Sequence, residues 1–100
     1  MTRLANPARG EAMVADIMLR PSFAALVAAE EELGPLFALV ERAAAGQLKL
    51  SEMVALFWHC RFEAHADVTR DVFSQAVADA GLAAGTPALK TLLGQILGGR

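Results

Sequence analysis

The sequence predicts a mainly α fold: a small bundle of about five helices behind a short N-terminal extended segment or β-hairpin. Apolar residues recur at helical spacing through the segments after Pro21, with Gly, Pro, Ser and Thr standing between those segments. The hydrophobic share is 55%, much of it alanine, a strong helix former that lets helices approach closely. A chain of 100 residues is the size of one domain, so residues 1–100 are read as a single unit with a modest core.

Pro7 and Gly10 keep residues 1–10 out of a helix, which makes them an extended arm, either docking or fraying. Within residues 11–20, Met13-Val14 and Ile17-Met18-Leu19 flank Ala15-Asp16. That spacing gives two short hairpin strands or one irregular extended segment, since the Asn-Gly or Asp-Gly pair favoured in tight hairpins is missing. The helical bundle follows over residues 22–98. Arg20-Pro21 ends the extended region and Ser22 is placed as an N-cap. The first helix runs from Phe23 to about Leu33, with Phe23, Leu26, Val27 and Glu30 on one face and Gly34 behind it. Pro35 starts a second helix that carries Leu36, Phe37, Leu39 and Val40 and stops at Gly46.

Ser51 is expected to cap a third helix from Glu52 to about Ala64. Met53, Val54, Leu56, Phe57, Trp58, Cys60 and Phe62 leave it little polar surface, and a helix apolar nearly all round is central. Asp67 or Thr69 starts the fourth helix, with a stripe of Val72, Phe73, Ala76, Val77 and Ala80 ending at Gly81. Gly81, Gly85 and Thr86-Pro87 read as a connector, with Thr86 as N-cap and Pro87 as first residue of the fifth helix. That helix gathers Leu89, Leu92, Leu93, Ile96 and Leu97 on one side and ends at Gly98-Gly99. Its stripe is either core or an anchor for a partner's groove.

Charge and reactive groups exclude several classes of function. Nine basic and 11 acidic residues are scattered, for a net charge of -2, with no basic block to follow a phosphate backbone. The lone Cys60 has no internal disulfide partner, the first residues lack the apolar core of a signal peptide, and no apolar run nears the ~20 residues that span a bilayer. A soluble cytoplasmic protein is expected. Of His59, Cys60, Glu63 and His65, only His59 and Glu63 share a helical face; His65 lies about 240° round, so no metal site is expected. Glu63 is instead the i,i+4 partner expected for His59. Cys60 has no base aimed at it, Glu30-Glu31-Glu32 reads as a solvated face, and the glycines form no phosphate loop. No catalytic residue, cofactor or metal is assigned.

One stretch says more than its helical pattern. Asn6-Pro7-Ala8-Arg9-Gly10-Glu11, then Leu19-Arg20-Pro21-Ser22-Phe23-Ala24-Ala25-Leu26, then Glu30 to Gly34 stand in an order that resembles a small tail-assembly family of gene transfer agents and related tailed phages. Gly85, Ala88 and Leu92-Leu93 give a second, weaker match. Against the family's pattern, the stretch from Glu11 to Leu19 is short and Phe57-Trp58-His59-Cys60-Arg61-Phe62 replaces a segment that is usually small and glycine-containing. The resemblance implies a non-enzymatic role in building a tail, as an assembly chaperone that keeps the tape-measure or tail-tube protein soluble, or as a tube component that self-associates. A generic helical adaptor is the reading outside any tail system. Taken with the aliphatic stripes, it makes Asn6, Arg9, Glu11, Arg20, Phe23, Leu89, Leu92, Leu93 and Ile96 the candidate partner-binding residues.

Overall fold

A computed structural model describes residues 12–15, 17–61 and 68–98. Strands β1 (Ala12–Val14) and β2 (Ile17–Leu19) form an antiparallel hairpin in the register Ala12 to Leu19, Met13 to Met18 and Val14 to Ile17. The alternation of strand side chains puts Ala12, Val14, Ile17 and Leu19 on one buried face. Of the two sequence alternatives the hairpin is the one formed. It has a cost, because Ala15 sits at φ 51°, a left-handed conformation that a Cβ disfavours.

Five helices follow: α1 (Phe23–Leu33), α2 (Leu36–Ala44), α3 (Leu50–Cys60), α4 (Arg70–Ala80) and α5 (Leu82–Gly98). Ser22 caps α1 by accepting the N–H of Ala25 at 3.1 Å, and Thr69 caps α4 by accepting that of Val72 at 3.2 Å. Glu30 reaches over the corner between α1 and α2, where its Oε2 accepts the N–H of Leu36 at 3.1 Å, one of the donors a helix start leaves open.

Three boundaries differ from the sequence reading. Helix α3 begins at Leu50, so Ser51 lies inside it. Lys49 is the cap residue: its carbonyl accepts the N–H groups of Glu52 and Met53, and Glu52 Oε1 accepts the N–H of Lys49, each at 3.0 Å. The same helix ends at Cys60 and not near Ala64. Arg61 turns extended and pairs with Leu19 of the hairpin, while the N–H of Arg20 donates to the Cys60 carbonyl at 2.6 Å. A helix end has carbonyls to spare, and the strand beside it takes one.

Helix α5 begins at Leu82 and not at Thr86-Pro87, so Pro87 lies within it. Gly81, at φ 92°, closes α4 with its N–H on the Ala78 carbonyl and lends its own carbonyl to Ala84 and Gly85. One residue therefore serves as the whole connector. The Pro87 ring removes an intrahelical bond, yet the helix continues, with Gly85 and Ala88 buried on either side of it. A Cβ on Gly85 would come to 3.2 Å from Met53 Cε and 3.7 Å from Phe57, so glycine is what lets α5 lie so close to α3.

The core gathers round α3. Phe57, Leu56 and Cys60 have no solvent exposure, and Met53, Val54 and Ala55 are buried, as expected of a helix with little polar face. Against them pack Ala29 of α1, Leu39 of α2, Phe73 and Val77 of α4, Ala88 and Leu92 of α5, and the inner face of the hairpin. At the end of α3, Trp58 meets Phe73 with ring centroids 5.7 Å apart, and the Arg61 guanidinium lies 3.5 Å from the Trp58 ring while donating to the Trp58 carbonyl at 2.8 Å. The aromatic segment in α3 thus joins helix, hairpin and α4.

Two ion pairs tie helices at the surface. Arg42 of α2 bonds Glu52 of α3 at 2.6 Å. Glu32 of α1 is gripped by both nitrogens of the Arg70 fork, at 2.9 and 2.5 Å, and lies 2.7 Å from His59 Nε2. So His59 is partnered by Glu32 across two helices; Glu63, its expected partner, lies outside the described residues. The acidic run is exposed, as expected, yet two of its three carboxylates are engaged. The Arg70 hydrogen bonds, then that of His59, hold the Glu32 carboxyl at about 2, against an ordinary 4.5.

Truncating Phe57 to alanine should cost about 3–5 kcal/mol in denaturant unfolding, because the ring is wholly enclosed. Ala15→Asn should gain about 0.5 kcal/mol, asparagine being better tolerated at positive φ. Since the folded state lowers the Glu32 pKa, its contribution is present above pH 4.5 and is lost as pH falls toward 2. Unfolding midpoints of the wild type should drop over that interval more steeply than those of Glu32→Gln; equal slopes would show that the pair adds nothing.

Candidate functional site

Where α1, α2 and α5 meet, apolar residues remain wholly or partly uncovered. Phe23, Leu26 and Val27 of α1, Leu36, Phe37 and Val40 of α2, and Ile96 and Leu97 of α5 line a groove of about 310 Å³. Phe23 is 83% exposed, Phe37 80% and Leu97 61%. Large apolar side chains standing together in water mark an interaction surface, whereas scattered ones need no explanation.

The local sequence accounts for the groove. The stripe of Phe23, Leu26, Val27 and Glu30 recurs at i, i+3, i+4 and i+7, but the surface that α1 turns to the core is the one holding Ala29, which has no exposure. Small Ala29 permits close contact with α3; Leu26 of the stripe packs partly on the core, and Phe23 and Val27 are left to the outer side. In α2, Leu39 is buried and its neighbour Phe37 points elsewhere. The Gly34-Pro35 corner sets the two helices side by side, fastened by the Glu30 bond to Leu36. Among the described residues Glu30 is the one charged residue in the lining.

Of the residues singled out from the sequence, Phe23 and Ile96 line this groove. Leu92 does not offer an anchor: it is wholly buried in the core, and Leu89 and Leu93 are partly buried against it. The C-terminal stripe is therefore mostly core, because the inward turn of α5 is covered by the rest of the bundle. Arg20 is exposed at the junction of β2 with the end of α3. Asn6, Arg9 and Glu11 lie outside the described residues. Leu26, Val27, Glu30, Leu36, Phe37, Val40 and Leu97 were not among the sequence candidates, although the α1 stripe was legible as a stripe.

The reactive side chains do not converge. Cys60 is buried, and burial pushes its thiol up to about 12, so it stays protonated at neutral pH. His59 is committed to Glu32. Glu63 and His65 lie outside the described residues, among which no group of three His, Cys, Asp or Glu side chains is placed to hold a metal ion. No helix among them is long and apolar enough to cross a membrane.

Comparison with known proteins places the chain. No curated protein and no solved structure matches it. A family does, along most of the length and through every element just described. The chain belongs to the gene transfer agent tail family described as phage tail tube protein, GTA-gp10, which matches residues 11–99.

Proposed function

We propose that this phage-like tail protein acts in assembly as a chaperone, using the groove of α1, α2 and α5 to hold the tape-measure or tail-tube protein of its own particle before polymerisation. The observation that carries the reading is the cluster of Phe23, Phe37 and Leu97 standing in solvent beside one another. Each such side chain gains roughly 1.5–3 kcal/mol when fully covered. A few anchors give a contact firm enough to shield a partner and weak enough to release it, without covalent chemistry. The work would take place in the cytoplasm of the bacterial host while particles form.

A second reading has support of its own in the family description, which names a tube protein. In that case the groove would be a contact between subunits retained in the finished tail. The two readings differ in what the isolated protein does.

Co-expression with the tape-measure protein and with the tail-tube protein of the same gene cluster should retain one of them on affinity purification. Phe37→Ser and Leu97→Ser should abolish that retention while the helical circular dichroism spectrum is kept, since both side chains are exposed. Sedimentation of the purified protein as rings or tubes would instead establish the structural reading. A partner that stays soluble and particles that assemble normally after deletion of this gene would overturn the chaperone role.

A further inference from the structure

We infer that the groove receives a single amphipathic helix from the tail partner, one that sets apolar anchors among Phe23, Phe37 and Leu97 and places a lysine or arginine beside Glu30. This rests on the tail-docking reading and adds the chemistry of the segment bound. Two features of the groove select a helix and a third selects its charge.

The lining is made of side chains from three helices. Such a wall offers no row of backbone donors and acceptors, so an extended segment pressed into it would leave its own peptide groups unpaired where they are covered. A helix satisfies those groups internally and needs only an apolar stripe. The volume, about 310 Å³, is at the lower end for bound ligands and holds roughly two large side chains, as an i,i+4 pair would present.

The charge follows from what surrounds the apolar floor. Glu30 gives Oε2 to the N–H of Leu36, and its Oε1 has no partner among the described residues. Among the described residues no lysine or arginine lines the groove. Of the cations on α2 and α4, Arg42 is paired with Glu52 and Arg70 with Glu32, and Lys90 of α5 stands two turns before Leu97 outside the lining, while Glu31 of α1 and Glu41 of α2 add exposed carboxylates. A second copy docked groove to groove would bring the same lining, which holds a carboxylate and, among the described residues, no cation to meet it. A basic amphipathic helix has the complementary charge.

The test uses the full chain and two fluorescein-labelled synthetic helices that carry leucines at i, i+4 and i+7. One has lysine and the other glutamate at the positions flanking the leucines. Fluorescence anisotropy should show the lysine peptide bound about fivefold more tightly or better, the scale of one exposed charge pair. Glu30→Gln should remove most of that preference, Asp79→Asn on α4 should leave it intact, and Phe37→Ser should abolish binding of both peptides. Equal binding of the two peptides would overturn the inference, as would a preference lost equally in Asp79→Asn, or binding that survives Phe37→Ser. Self-association that Phe37→Ser dissolves would identify a second copy as the occupant. Loss of the peptide preference together with Phe37-dependent retention of a tail protein would sink this inference alone; peptide binding as expected with no tail protein retained would sink the tail-docking reading instead.

Discussion

Helix α3 can face water almost nowhere, and the other elements are arranged by that fact. With Met53, Val54, Ala55, Leu56, Phe57 and Cys60 all buried along 11 residues, it needs covering on every side. A domain of this size has few elements with which to do it. Helix α1 covers it through Ala29, α4 through Phe73 and Val77, and α5 through Gly85 and Ala88, each contact made by the surface that permits closest approach. The hairpin completes the enclosure. Its pairing of Leu19 with Arg61 also decides where α3 stops.

The same demand explains why the groove exists. Helices α1 and α2 carry more apolar surface than the core can accept: α1 turns small Ala29 inward, which brings backbones close, and α2 buries Leu39 alone. Phe23, Val27 and Phe37 are left outside. Natural sequences keep such an arrangement where a partner covers it, since an exposed aromatic pair on a monomer invites association. Polar fastening keeps the groove in shape: Glu30 holds the α1–α2 corner, Arg42 with Glu52 holds the end of α2 to the start of α3, and Glu32 draws α1 to α3 and α4. None of these bonds is deeply buried, so they position helices more than they stabilise the fold.

For a tail protein the division is workable. The enclosed half, with Phe57 against α5 and Trp58 against Phe73, supplies a stable body. The exposed half offers an apolar groove with the Glu30 carboxylate in its lining, a surface whose affinity is set by a few side chains and can be tuned without disturbing the core.

How far the fold could be read from the sequence depended on whether a signal was local. Ser22, the α1 and α4 stripes and the central character of α3 were legible, because caps and periodicity act within one or two turns, and of Asp67 and Thr69 the structure selects Thr69 as the α4 cap. Met13-Val14 and Ile17-Met18-Leu19 marked an extended stretch but left hairpin and irregular segment open, and the register came from the structure. Boundaries settled by distant contacts were not: Arg61 leaves the helix to pair with Leu19, and the start of α5 runs through Thr86-Pro87 because Gly85 packs on Met53 and Phe57. The groove divides the same way. The sequence by itself determined that Phe23, Leu26, Val27 and Glu30 share a face and that Leu92 and Ile96 share another. Only the tertiary structure decided that Phe23, Val27 and Glu30 meet solvent while Leu26 lies partly against the core, that Leu92 is interior and that Phe37 and Phe23 line one groove. Periodicity states which residues lie together on a helix, whereas the direction that face takes depends on close packing with elements remote in the chain.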